Sequence, residues 1–174
     1  MLFTGLALVS MYVGFATAQA TTSALGQQPT FAMSIRLKES TARAGSEIIV
    51  DIDLTNKSSK EIRFYLPANG PFLYTFKVFD RNGKPAPLTP IGQAIASGTG
   101  VYKGKKGETR LIFGGSTFSA VVAPGGTLHE VVVLSDYVDL SQPNQYTIRL
   151  ERTDPYTKLV VASNATTLTV TKQE

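Results

Sequence analysis

Few side chains in this sequence could carry out chemistry, because the chain contains one histidine and no cysteine. The histidine, His129, precedes Glu130 in a stretch with the composition of a β-strand. A Ser-His-Asp triad is arithmetically possible, but the nucleophile-elbow pattern Gly-x-Ser-x-Gly is absent. A general base also needs partners that hold it in position, and the sequence shows none. We therefore predict that His129 faces solvent and that the protein is not an enzyme. A hydrolase using His129 is the less favoured alternative.

Metal and phosphate motifs are present only as fragments. Zinc sites are built mainly from cysteine and histidine, which this chain nearly lacks. Asp80, Asn82 and Gly83 look like the front of a calcium loop, but the closing glutamate of an EF-hand is missing. The same residues suit a hairpin turn, since Asn-Gly accepts positive φ at low cost. Scattered glycines at residues 98–104 lack the strand-to-helix setting of a phosphate cradle. The sequence predicts no metal and no cofactor.

A basic run lies at residues 102–110, in a chain of net charge +4. Such a run at a loop tip is most often only solvated, and the alternative is contact with an anionic surface. The candidate binding residues are Tyr102, Lys103, Lys105, Lys106 and Arg110. No stripe of Arg and Lys on a helix accompanies them, so we do not expect nucleic acid as a partner.

The first twenty residues have the composition of an export signal. No charged side chain occurs in residues 1–20, and Ala16, Ala18 and Ala20 form two overlapping Ala-x-Ala cleavage patterns. We predict a signal peptide at 1–20, a flexible linker at 21–30, and a secreted or periplasmic protein without a membrane span after cleavage. An uncleaved anchor is the alternative, because the run is just long enough to span. Without disulfides, the exported domain must be held by its hydrophobic core.

The rest of the chain alternates between apolar and polar residues. Phe31, Met33, Ile35 and Leu37 would share one side of a strand, and the same period of two recurs along the chain. Turn signals separate these runs, including residues 56–60 and Pro124-Gly125-Gly126. The pattern predicts a single all-β domain over residues 31–172, an antiparallel β-sandwich of about seven to nine strands without helices or disulfides. Residues 128–134 are apolar on both sides, which predicts a central strand.

The stretch from Leu134 to Arg152 contains a turn followed by a strand that opens with Tyr146. It resembles the penultimate strand of bacterial immunoglobulin-like and fibronectin-III-like modules, and the resemblance extends over Thr127–Val170. It implies an immunoglobulin-like sandwich with a tyrosine corner, in which the Tyr146 hydroxyl bonds to backbone a few residues upstream. Leu140 would be the apolar residue before the turn. The resemblance implies structural roles for both residues.

Residues 85–109 carry prolines and glycines with little alternation, and long loops of this kind are often functional. We therefore predict an exported, non-catalytic binding module with its site on this loop, and another protein or the cell envelope as partner. A proteinase inhibitor would be one version. The alternative is a structural or chaperone-like accessory of the cell envelope. A carbohydrate-binding module is less favoured; it would use exposed rings among Tyr65, Phe72, Tyr74, Phe79, Tyr102 and Tyr156.

Overall fold

The computed structural model describes residues 27–67, 73–104, 107–111 and 117–173. The predicted signal peptide lies outside these ranges, and so do Phe72, Lys105 and Lys106. The elements are β1 (Phe31–Leu37), β2 (Thr41–Arg43), β3 (Ile49–Asn56), β4 (Ile62–Pro67), β5 (Thr75–Asp80), α1 (Pro90–Ala96), β6 (Val101–Lys103), β7 (Thr109–Leu111), β8 (Thr117–Val122), β9 (Thr127–Val133), a 3-10 helix (Leu134–Asp136), β10 (Asn144–Thr153), β11 (Val160–Ala162) and β12 (Thr166–Thr171). The all-β class is confirmed, since strands dominate the described residues. The strand number exceeds the predicted seven to nine because β2, β6, β7 and β11 have three residues each, too few to show alternation.

Two sheets carry most of these strands. The first has the order β1-β3-β9. In the second, β10 pairs on one side with β12 and β11 and on the other with β5, and β2 adds to β12. The pairs β4-β8 and β6-β7 form separate ribbons. All these pairs are antiparallel except β2-β12.

The core is built from the alternating side chains of both sheets. On β1, the four apolar residues of the predicted inward side are all buried. They join inward residues of β3, β10 and β12, and Phe64 of β4 meets Phe31 edge to face at 5.3 Å between ring centroids. A period of two in the sequence therefore translates directly into one apolar cluster, as expected when each strand has one buried face.

The predicted turns at residues 56–60 and 124–126 do not reverse the chain. Thr55 pairs with Thr127, and Ile62 pairs with Val122 in the same antiparallel sense, so β3-β9 and β4-β8 continue one ribbon across a break. The buried Asn56 holds this break together: its side-chain amide donates to the carbonyls of Lys60 and Val122, both at 2.8 Å. The turn-forming residues here make a bulge in a long ribbon. A bulge places demands on the backbone that are similar to those of a turn.

The prediction of a central strand at residues 128–134 is wrong. Among the described residues β9 pairs only with β3 and lies at the edge of its sheet. Val131 on its outer side is 66% exposed. Apolar residues therefore occupy both faces of β9, although one of these faces is exposed. Composition alone cannot distinguish such an edge strand from a central strand.

The end of the predicted linker belongs to the folded domain. The Thr30 backbone N–H and hydroxyl both donate to the carboxylate of the buried Asp154, at 2.6 and 2.9 Å. The Lys57 N–H donates to the Thr30 carbonyl at 2.8 Å. Within the described ranges, none of the helices has the length and apolar character needed to cross a membrane.

Candidate functional site

The segment at residues 85–109, predicted as a loop, contains a helix and most of a hairpin. Helix α1 begins after Thr89, whose hydroxyl oxygen accepts the Gly92 N–H at 3.1 Å, and Pro90 occupies the first turn. Both features favour a helix start, since the hydroxyl satisfies a free backbone donor and proline has the required φ. With seven residues the helix is too short for the 3.6-residue period to be recognised in the sequence.

Helix α1 is fixed against the end of the 3-10 helix and the residue that follows it. The Thr89 N–H donates to the Tyr137 carbonyl at 3.1 Å, and the Thr89 hydroxyl donates to the Asp136 carbonyl at 2.5 Å. Gly92 is buried at the contact, where an added Cβ would lie 2.0 Å from the Tyr137 carbonyl oxygen. Only glycine lets the helix approach this backbone so closely.

An apolar cleft separates α1 from β5. Its volume is about 350 Å³, and it is lined by Tyr74, Thr75, Phe76, Leu88, Gly92, Ile95, Ala96 and Tyr137. The rings of Phe76 and Tyr137 stack at 5.3 Å with an interplanar angle of 14°. A second cavity of about 260 Å³ continues along β5 and shares Phe76 and Leu88 with the first. We call the two neighbouring cavities together the β5 groove.

The tyrosines of the β5 groove are neutral at ordinary pH. Burial, and after it the nearby Asp136 charge, raises the pKa of Tyr137 to about 12. Burial also raises the pKa of Tyr74, against the opposing effect of Arg152. A tyrosine with a raised pKa stays protonated near neutral pH and gives up its proton reluctantly, so the groove offers apolar rings and hydroxyls rather than groups for proton transfer.

A buried cation lies behind Tyr74. The Arg152 guanidinium donates to the Tyr74 hydroxyl at 2.9 Å and to a Glu130 carboxylate oxygen at 3.2 Å. It also lies over the rings of Phe64 and Tyr74, with centroid distances of 5.1 and 5.2 Å. The cation is therefore both paired and stacked, which is the arrangement that allows a charge to remain buried.

Three of the predicted binding residues, Tyr102, Lys103 and Arg110, lie on the paired strands β6 and β7, and β6 contacts α1. Tyr102 pairs with Arg110 across the two strands, and both Tyr102 and Glu108 raise the pKa of the Arg110 guanidinium. The Lys103 ammonium donates to the Thr109 hydroxyl at 2.6 Å. The structure thus brings Tyr102, Lys103 and Arg110 together, while Lys105 and Lys106 lie outside the described residues. Their binding role stays a prediction.

The sequence-based prediction for His129 is confirmed, since its side chain is 75% exposed on the outer side of β9. Its Nδ1 lies 2.5 Å from a carboxylate oxygen of Asp53 on β3. The predicted turn at Asn82-Gly83 is also confirmed: Gly83 has φ +77°, and an Asp80 carboxylate oxygen accepts the N–H groups of Asn82 and Lys84. Across the ranges that the structure describes, no three potential metal-ligating side chains of the His, Cys, Asp or Glu type come together.

Tyr146 and Leu140 are both buried. The Tyr146 hydroxyl donates to the Gln142 carbonyl, four residues upstream, at 2.9 Å.

Of the aromatic residues considered for sugar binding, Tyr74 is buried, whereas Tyr65 and Tyr156 are more than half exposed. Tyr65 and Tyr156 do not line the β5 groove, so these aromatic residues do not form a single surface there.

No protein-family model matches this chain, and no curated protein matches it in sequence. Its function must therefore be argued from its own geometry. Sequence reasoning found the segment that forms one wall of the β5 groove but missed the lining residues Ile95, Phe76 and Tyr137. The Thr89-Pro90 pair, a helix-start signal, is the one feature of the sequence that indicates α1.

Proposed function

We propose that this protein is an exported, non-catalytic binding module that holds part of a protein partner in the β5 groove. The observation that carries the proposal is the open apolar cleft between α1 and β5, with the stacked Phe76 and Tyr137 in its wall. Concave, mostly apolar surfaces with a few polar groups are the usual form of binding sites. The charge-free, alanine-terminated segment at residues 1–20 supports the export part of the proposal and a secreted or periplasmic location.

An immunoglobulin-like sandwich is the architecture that we propose for this module. Two mainly antiparallel sheets contribute to one core, and the hydroxyl of a buried tyrosine donates to an upstream backbone carbonyl, as in a tyrosine corner. In such sandwiches the connections between strands carry the binding residues while the sheets stay rigid. Helix α1 and the β6-β7 hairpin are insertions of this kind, since both lie between β5 and β8.

Binding is favoured over catalysis by the groups that line the cleft. Its described lining contains no histidine, carboxylate or lysine, and its two tyrosines have raised pKa values. The single histidine lies on the outer side of the other sheet, paired with Asp53. Neither the described lining of the cleft nor the His129–Asp53 pair combines a nucleophile with a base, as nucleophilic catalysis requires.

A capture experiment with matched variants tests this proposal. Ile95→Asp places a charge in the cleft, and Thr167→Asp places the same charge on the exposed side of β12. The wild-type protein and the Thr167 variant, immobilised and incubated with cell-envelope extract, should retain the same partner, and the Ile95 variant should lose it. Equal capture by all three proteins would place binding outside the cleft and overturn the proposal.

A second candidate function, a structural or chaperone-like accessory, is favoured by a different surface. Among the described residues, β8 and β9 are paired on one edge only, and Phe118, Val121 and Val131 are 51–66% exposed. Open edges with exposed apolar residues favour pairing with another chain. Cross-linking through a cysteine introduced at Val131 would detect such an assembly, and the absence of any cross-linked product would count against it.

A further inference from the structure

The backbone of β5 is covered along only part of its outer edge. The Ala86 N–H donates to the Val78 carbonyl, and the Asp80 N–H donates to the Lys84 carbonyl, both at 2.9 Å. Since the backbone groups of every second residue in a strand point the same way, the N–H and C=O of Phe76 point toward this edge too. In the part of the chain that the structure describes, no backbone group pairs with them there.

The reason for the gap is the path of the chain after Ala86. Continuing the pairing of Phe79 with Pro85 would bring Leu88 opposite Phe76. Leu88 instead pairs with Val138, and the Asp139 N–H donates to the Pro87 carbonyl at 2.8 Å. The chain therefore leaves β5 before Phe76, and the β5 groove is the space that it leaves open.

Other edges of the fold are closed by side chains. The Asn164 amide accepts the Ile35 N–H at 2.8 Å and donates to the Ile35 carbonyl at 3.1 Å, which occupies the outer edge of β1. The Tyr156 hydroxyl bonds both backbone groups of Arg63 on β4 in the same way. Closing an edge prevents pairing with other chains. Among the residues that the structure describes, no side chain closes the edge at Phe76, which borders an apolar groove.

Charges of both signs lie near the β5 groove, since the Asp136 charge is close to Tyr137 in its wall. Lys77 lines the second cavity and is 43% exposed, with Glu151 as its partner at 3.7 Å. Arg81 and Lys84 are exposed in the turn at the end of the groove, where the Asp80 carboxylate is engaged by backbone N–H groups. In the described lining of the groove Lys77 is the charged residue, and its ammonium is complementary to an acidic side chain.

We propose that the edge of β5 at Phe76 binds an extended segment of another protein as an added strand. The segment would pair with the Phe76 backbone, insert an apolar side chain between Ile95 and the Phe76–Tyr137 stack, and carry acidic residues toward Lys77. Strand addition of this type derives affinity from main-chain hydrogen bonds and specificity from pockets for alternate side chains. The inference rests on the proposed function and names its partner class.

Synthetic peptides test this inference on the wild-type protein, so that misfolding of a variant cannot confuse the result. The first is a seven-residue peptide of alternating Glu and Val or Leu. The second has the same side chains but N-methyl groups on the amides of one edge, and the third has Lys in place of Glu. Binding is followed by NMR titration of the isotope-labelled protein and by hydrogen exchange of the Phe76 amide.

We expect the acidic peptide to shift resonances of β5 and α1 and to slow exchange at Phe76. N-methylation should weaken binding about tenfold or more, because it removes the donor to the Phe76 carbonyl and the added methyl group keeps the two backbones apart. The Lys peptide should bind more weakly than the Glu peptide, and Lys77→Ala should reduce that difference, whereas Lys158→Ala, an exposed residue outside the groove, should not.

Three results would overturn the inference. Equal binding of the N-methylated peptide would show a side-chain pocket without strand addition. Shifts at Val121 and Val131 without shifts at Phe76 would place strand addition at the β8-β9 edge. No binding of any peptide would exclude this class of partner. Each of these outcomes leaves the capture experiment with Ile95→Asp as a separate test of the proposed function.

Discussion

The Tyr156 hydroxyl accepts the Arg63 N–H at 2.8 Å and donates to the Arg63 carbonyl at 3.2 Å. One side chain thereby satisfies both backbone groups that β4 directs away from β8 at this position. Tyr156 follows β10, so the contact also ties the β4-β8 ribbon to the second sheet.

Replacing Tyr156 by Phe should lower the free energy of unfolding by about 0.5–1.5 kcal/mol, the net contribution of a typical hydrogen bond. The low end is expected, because the ring is 51% exposed and water can reach the released groups. Urea unfolding measures the change. Tyr65→Phe is the control, since Tyr65 is similarly exposed on β4 and its hydroxyl has no described hydrogen-bond partner. Equal effects of the two variants would contradict the bridging role of Tyr156.

Tyr146→Phe should cost about 1–3 kcal/mol, because the Gln142 carbonyl would lose its donor beside a buried ring. Thermal unfolding at neutral pH detects a loss of this size. Tyr137→Phe provides the comparison, since the Tyr137 hydroxyl makes no described hydrogen bond. An unchanged midpoint for Tyr146→Phe would mean that water serves the carbonyl equally well and that the corner is held by packing alone.

Arg152→Met should destabilise the protein by about 3–5 kcal/mol, because it leaves the Glu130 carboxylate without its cation in a low-dielectric setting. Adding Glu130→Gln to this variant should restore part of the loss, since no unpaired charge then remains. Chemical denaturation of the single and double variants measures the coupling between the two side chains. Additive losses would show that Glu130 is hydrated rather than dependent on Arg152, whose side chain is 4% exposed.

Asp154 should make stability depend on pH in the acid range. Burial would raise its pKa, but hydrogen bonds from Thr30, Tyr156 and Thr157 outweigh burial and lower the pKa below 3.8. With a folded pKa below the unfolded one, the stabilisation is fully present above the unfolded value and is lost as pH falls through the folded value. Unfolding free energies measured from pH 6 to pH 2 should therefore decline more steeply for wild type than for Asp154→Asn. Parallel curves would show that Asp154 titrates normally.

Gly92→Ala should displace α1, because its Cβ would overlap the Tyr137 carbonyl. Overpacking of this kind costs about 1–3 kcal/mol, and the displaced helix should also alter the β5 groove. Gln93→Ala, at the next and exposed position, should change stability by less than about 0.5 kcal/mol. Calorimetry measures stability, and peptide titration reports the groove. A fully stable Gly92→Ala protein with unchanged peptide binding would contradict this close packing of α1.

The strands and their inward faces could be predicted from the sequence because alternation is a local property. Phe31 and Ile35 must share a side wherever β1 pairs, since successive side chains of a strand point to opposite faces. The exposed position of His129 and the turn at Asn82-Gly83 are local in the same sense. Short elements could not be predicted in this way, because β6 and α1 contain too few residues to display a period.

Which strands pair with each other was determined only by the tertiary structure. Pro124-Gly125-Gly126 suits either a chain reversal or a bulge in a continuing ribbon, and the pairing of Ile62 with Val122 selects the bulge. Val131 is as apolar as a core residue, yet it is exposed because no described element covers the outer face of β9 at this position. The β5 groove likewise exists because Leu88 pairs with Val138 instead of Phe76, a choice between distant segments. Local sequence determines which way a side chain points, whereas its surroundings depend on contacts between segments that are far apart in the chain.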